Sequence, residues 1–348
     1  ANLSSTTMLT SATFGLGGVL PALIPNTTYF LQVRSTNTYF ASAYTSLGST
    51  STLANPPVAS SATVYFSSIT LSWLVSGNPS GTTFYAQVST DSSGNFGTLN
   101  LSTATVNDSV TLNGLVANTT YFLRVNAVNR NGVLTAYSQF TTTSTFVKDP
   151  VAAAPVVVSS TSIILNWTAN GNSSTTRYVA KISSDGFASA LSSMTTTSSS
   201  ATFSGLIPNT VYFSSVQALG NNSTATSFVD LPTTTTFMIA PSTNTVTFTS
   251  VNTASVTVTW ATGGNLAGTN YVARMSTGAF PNSFSGNQTS HTLNTSAIFG
   301  SSGLGPDLAQ NSTFYFQVYS TSGVNTSTFV SLGSTFTLAG PPLLTVVL

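Results

Sequence analysis

An all-β chain of repeated units is what this sequence predicts, and three observations carry the prediction. Tryptophan recurs at Trp73, Trp167 and Trp260, spacings of 94 and 93 residues, which marks an internal repeat. A corner pattern, Leu-x-Pro-x-Thr-x-Tyr, runs in phase: Leu23 to Tyr29, Leu115 to Tyr121 with Ala117 in the proline place, Leu206 to Tyr212, and a degenerate copy from Leu308 to Phe314. Behind every corner the chain alternates at period two, the pattern that buries one face of a strand.

Element by element, the reading is consistent. The strand after the first corner shows Tyr29, Leu31 and Val33 on one face. The strands that lead into the tryptophans, Ile69 to Trp73 and Val256 to Trp260, alternate likewise and are rich in β-branched residues, which suit a pleated, half-buried surface. The later corners are followed by Tyr121, Leu123, Val125 and Ala127, by Tyr212, Ser214, Val216 and Ala218, and by Phe314, Phe316 and Val318. No segment sustains a helical period. Strand-length apolar runs are the longest present, well short of the roughly 18 to 20 residues of a membrane-spanning helix, so no membrane insertion is expected of this segment.

With short strands, a tryptophan late in the second of them and this corner, the unit resembles the fibronectin type III module over nearly the whole chain. The resemblance implies tandem fibronectin type III-like (immunoglobulin-like) β-sandwiches of seven antiparallel strands in a linear array, with Tyr29, Tyr121 and Tyr212 bonding back to backbone through their hydroxyls. Phe314 has no hydroxyl, so the fourth corner must be held in another way. Low-charge modules rich in Ser, Thr and Asn resemble those of large bacterial secreted or surface fibre proteins.

Linker prolines set the expected boundaries, because proline ends strand pairing and stiffens a joint. Ala54 to Pro57, Lys148 to Pro150, Ala240-Pro241 and Gly340 to Pro342 delimit modules at 55–147, 148–238 and 239–339. Residues 1–54 read as the C-terminal half of a module. Residues 340–348 read as the first strand of a further module or as a donated strand.

Composition then removes most chemistry. The chain has 7 Lys+Arg, 6 Asp, no Glu, one His and no Cys, for a net charge of +1, and Ser plus Thr number 118 of 348 residues. So little positive charge cannot neutralise a phosphate backbone, so no nucleic-acid partner is expected. The lack of Cys excludes Cys-containing zinc sites and cysteine nucleophiles, and a single His excludes His-pair metal sites. No catalytic residue, metal or cofactor is expected. Asp91 and Asp185 stand at equivalent positions after a strand and read as Asp/Gly turns, one carboxylate being too little charge for calcium. His291 lies among serines as composition alone would have it, and no nucleophile elbow accompanies it.

The basic residues are more ordered. In the fold resembled, Lys181 and Arg274 on one strand and Arg34 and Arg124 on its neighbour point outward from one sheet, beside an outward aromatic that recurs as Phe30, Phe122, Phe213 and Tyr315. That face could shield aromatics by ordinary cross-strand pairing, pack against protein, or meet a sugar. Thirteen Asn-x-Ser/Thr acceptors occur, most of them accounted for by composition. Asn26, Asn118 and Asn311 recur in the corner loop, taken here as exposed, and Asn172 and Asn222 are further candidates. The functional expectation is a non-enzymatic structural segment of an extracellular or cell-surface fibre that associates with copies of itself. A carbohydrate-binding or adhesive module, and a spacer of a secreted hydrolase, are the alternatives.

Overall fold

The computed structural model describes residues 2–15, 18, 21–92, 96–97, 99–189, 192–280, 288–301, 303, 305–322 and 325–342. The end of the expected last strand, 343–348, lies outside them. The described chain is β-strand and connecting loop, with two compact units. Unit 1 is Ala1–Pro150, Ala169–Arg177 and Gln217–Ser227, and unit 2 is Val151–Thr168, Tyr178–Val216 and Phe228–Leu348.

Unit 1 opens with an antiparallel pair, β1 (Thr28–Val33) and β2 (Thr45–Ser51). Leu47 and Val33 are exposed: among the described residues up to 54, no other strand is present to face these two. There follow β3 (Val58–Val64), β4 (Ser68–Leu74), β5 (Thr83–Ser89), β6 (Leu99–Thr105), β7 (Ser109–Asn113), β8 (Thr120–Val128), β9 (Ser138–Gln139) and β10 (Thr143–Ser144). They form a three-stranded sheet, β3-β4-β7, and a second sheet of order β10-β8-β5-β6 with β9 beside β8. The inward residues of both sheets, among them Ile69, Leu71, Trp73, Phe84, Ala86, Val88, Leu123 and Val125, make one buried cluster.

The same plan recurs in the following module, most of whose strand residues belong to unit 2. One sheet is β11 (Val151–Ser159), β12 (Ser162–Thr168) and β15 (Ser200–Ser204), and its companion is built on β13 (Arg177–Ser183), β14 (Ser192–Thr196), β16 (Val211–Leu219) and β17 (Val229–Thr235). The next module repeats it with β18 (Ser242–Val251), β19 (Ser255–Ala261) and β22 (Ser296–Gly300) against β20 (Asn270–Ser276), β21 (Gln288–Thr292), β23 (Thr313–Thr321) and β24 (Val330–Phe336). Val256, Val258, Trp260, Tyr271, Phe299 and Phe316 lie at the centre of its core. Each tryptophan meets an aromatic of the following strand: Trp73 and Phe84 at 5.6 Å, Trp167 and Tyr178 at 5.6 Å, Trp260 and Tyr271 at 5.8 Å between ring centres. Such pairs add to the area they bury. The in-phase tryptophans of the sequence are thus the repeated centre of the sandwiches.

The corners form as the resemblance implied. Tyr29, Tyr121 and Tyr212 accept hydrogen bonds at their hydroxyls from the backbone N–H of Ile24, Val116 and Ile207, at 2.8, 2.9 and 2.8 Å. At Phe314, which has no hydroxyl, a threonine hydroxyl does the holding. Thr337 Oγ1 donates to Ala309 O at 2.6 Å and accepts from Ser312 N at 3.1 Å. Thr52, Thr145 and Thr236 make the same bracket at the other corners, donating to Ile24, Val116 and Ile207 O.

Candidate functional site: linker clasps and outer-face cations

Two side-chain constellations repeat from module to module. The first begins with a left-handed glycine. Gly77, Gly171 and Gly264 have φ of +76°, +79° and +99°, a region open to glycine at little cost. Each is followed by an asparagine, Asn78, Asn172 and Asn265, spaced by 94 and 93 residues as the tryptophans are. The turn directs each amide back onto the proline-bearing linker. Asn78 Oδ1 accepts from Asn55 N and its Nδ2 donates to Asn55 O, both at 2.8 Å. Asn172 does this to Lys148, at 2.8 Å both ways, and Asn265 to Ile239, at 3.0 and 2.6 Å. All three are under 9% exposed, so opening a clasp leaves buried amide groups unpaired, at about 1 to 3 kcal/mol each. This constellation was missed in the sequence, although the recurring Gly-Asn pair was its signal.

The second constellation is the outer face of the larger sheet. The expectation placed the cations beside Phe30, Phe122, Phe213 and Tyr315, but they lie over other rings. Arg34 is 4.6 Å from the Tyr44 ring centre. Arg124 is held between Phe96 and Tyr137, at 3.9 and 3.7 Å, and donates from Nε to Gln87 Oε1 at 2.8 Å. Lys181 lies 3.8 Å from Phe228, and Arg274 lies 5.0 Å from Phe329 and 5.3 Å from Tyr319. Tyr44, Tyr137, Phe228 and Phe329 each stand immediately before a strand, β2, β9, β17 and β24, that runs antiparallel beside the corner strand. That pairing, and not spacing along one strand, brings ring and cation together. Phe30 is 84% and Phe213 39% exposed, while Phe122 and Tyr315 are half-buried.

The asparagine acceptors need correction. Asn26 and Asn118 are not on the surface: they are 3% and 0% exposed, and their Nδ2 atoms donate to Thr82 Oγ1 and Thr176 Oγ1, both at 2.9 Å. Asn172 is buried in its clasp. A sugar on any of these nitrogens would displace those bonds. Asn311, with the same left-handed backbone (φ +50°), is exposed, and Asn222 is half-buried with Oδ1 accepting from Thr224 Oγ1 at 2.6 Å.

The aspartates behave as turn residues. Asp91 Oδ2 accepts from Gly97 N at 2.9 Å. Asp185 accepts from the hydroxyl of Ser183 and from Ser189 N and Oγ at 3.0 and 2.6 Å. These hydroxyl bonds, Ser183 first, hold its carboxyl below the ordinary carboxylate value. His291 is an exposed residue of β21, opposite Val272. Unit 1 has an open notch of about 220 Å³ lined by Phe66, Phe146, Val147, Asp149, Thr224, Ala225 and Thr226, which holds one carboxylate, and another of about 250 Å³ between Ala59–Ala62 and Gln139–Thr143, which holds none.

A family model agrees with this architecture. The model of the fibronectin type III domain matches residues 56–144 and 150–229. Among solved structures, the chain is similar to the FN1–FN3 domains of chicken CNTN1, at 14% identity over 81% of this chain and 98% of that one with a TM-score of 0.27. It is also similar to a two-domain fibronectin type III segment from chicken tenascin, at 18% identity over 55% of this chain and 100% of that one with a TM-score of 0.37. No curated protein matches the sequence. With the paired sheets, the central tryptophan and the tyrosine corner all in place, residues 56–144 and 150–229 belong to the fibronectin type III family.

Proposed function

We propose that this chain is a non-enzymatic structural segment of an extracellular or cell-surface fibre, whose partners are copies of itself. The observation that carries the reading is the linker clasp: Asn78, Asn172 and Asn265 each fix the linker that enters their own module. A chain evolved only to present a ligand surface has no need of the same buried amide at three successive joints. A chain that bears load or holds length does. Low charge supports association, since closely packed copies repel each other weakly. Electron microscopy of material purified from its native source tests the proposal. Ordered filaments with an axial repeat of a few modules are expected. Isolated particles that bind on a glycan array, with binding abolished by Phe122→Ala, would replace the fibre reading with the adhesive one, and hydrolase activity of this chain alone would overturn both.

A further inference from the structure

We infer that Asn26 and Asn118 are joint locks: corner residues whose side chains fasten one module to the loops of the next. The backbone poses the question. All four corner asparagines are left-handed, with φ of +45°, +51°, +47° and +50° at Asn26, Asn118, Asn209 and Asn311. Glycine is the residue that adopts this conformation most cheaply, and asparagine is tolerated there. A corner that needed only the turn could use glycine, so four asparagines direct attention to the side chain.

In Asn26 and Asn118, within unit 1, both the nitrogen and the oxygen of that side chain are bonded. Asn118 Nδ2 donates to Thr176 Oγ1 at 2.9 Å and to Leu219 O at 3.0 Å, and Oδ1 accepts from Asn221 N at 2.7 Å. Its carbonyl accepts from Asn221 Nδ2 at 2.9 Å. Around Asn26 the pattern repeats with a different partner. Nδ2 donates to Thr82 Oγ1 at 2.9 Å, Oδ1 accepts from Arg130 N at 2.8 Å, and the carbonyl accepts from Arg130 Nε at 3.2 Å. Arg130 and Asn221 share no side-chain chemistry except a nitrogen donor. Both nevertheless present a backbone N–H and a side-chain N–H to the same two oxygens. Conservation of the bonding role across a change of residue marks the role itself as what the joint requires. The locks are buried, and breaking them strands polar groups away from water.

The inference deepens the structural reading, because locked joints are what a load-bearing segment uses, but its test is independent of fibre formation. Asn118→Gly in the full chain keeps the left-handed corner and deletes the side-chain bonds. Hydrogen exchange read by mass spectrometry should show protection falling about tenfold or more in peptides covering 173–177 and 219–222, with β4, β5 and β8 unchanged. Unchanged exchange at 173–177 and 219–222 would overturn the lock. Equal loss across β4, β5 and β8 would also overturn it, by showing that Asn118 serves the module's own folding. Thr176→Val removes one acceptor and leaves the corner untouched. It should give a smaller loss in the same peptides, and no loss there counts against the lock even if Asn118→Gly fails to fold. Filaments with unlocked joints would sink this inference alone; locked joints without filaments would sink the fibre reading alone.

Discussion

At the scale of single residues, hydroxyls do much of what charges do in other proteins. Thr145 Oγ1 brackets its corner by donating to Val116 O at 2.7 Å and accepting from Thr119 N at 3.1 Å, in parallel with the Tyr121 hydroxyl. At the last corner Thr337 works without a tyrosine. Thr337→Val is therefore expected to cost more stability than Thr145→Val, by about 1 kcal/mol, in urea unfolding followed by fluorescence. Equal costs would show that the tyrosine bond adds nothing. Asp185 gives a second prediction. Its carboxyl is held low by Ser183 and then Ser189, so its contribution is present above the unfolded carboxylate value and is lost as pH falls through the lowered folded one. Ser183→Ala should raise the Asp185 midpoint toward the ordinary carboxylate value in a carbon-13 NMR titration. An unmoved midpoint would remove the hydroxyl as the cause.

Elements explain which parts of this could be read in advance. The outward cations were legible because period-two alternation assigns every residue of a strand to a face. Their rings were not legible, because Tyr137 meets Arg124 only through the pairing of β9 with β8, and register is a property of two strands. Phe122, next along the same face, was the nearest aromatic in sequence and the wrong one in space. The tyrosine corners were legible because the bond spans five residues, Tyr121 to Val116. Asn26 and Asn118 were legible as turns but misplaced as surface, since their burial depends on partners 56 and 104 residues away for Asn26 and 58 and 103 for Asn118. Replacing Tyr137 by Leu should keep the apolar contact and lose the cation–ring attraction, a destabilisation of about 0.5 to 1 kcal/mol in chemical denaturation. No change would mean that Arg124 is held by Gln87 and packing alone.

For the molecule as a whole, the joints decide how separate modules become one object. Lys148 is one of only seven tryptic sites, and its backbone is clasped from both sides by Asn172. Asn172→Ala should speed cleavage after Lys148 in the native chain by about tenfold, since cleavage follows the population of the open joint. Unchanged cleavage would show that the linker is protected without the clasp. The outer face also limits which strands can be exchanged between modules. In the first complete module Gln87 on β5 stands opposite Arg124 on β8, while in the last Arg274 on β20 stands opposite Gln317 on β23. The guanidinium thus stands on the opposite strand of the equivalent pair in the two modules. Such a pair cannot be inherited piecemeal: a chimera with β8 grafted over β23 would set two arginines face to face, and the reciprocal graft would leave two glutamines and no cation for Tyr137. Moving β5 together with β8 keeps the arginine–glutamine pair, so such a chimera is expected to be more stable than one carrying β8 alone, by the few tenths to about 1 kcal/mol that a cross-strand pair contributes.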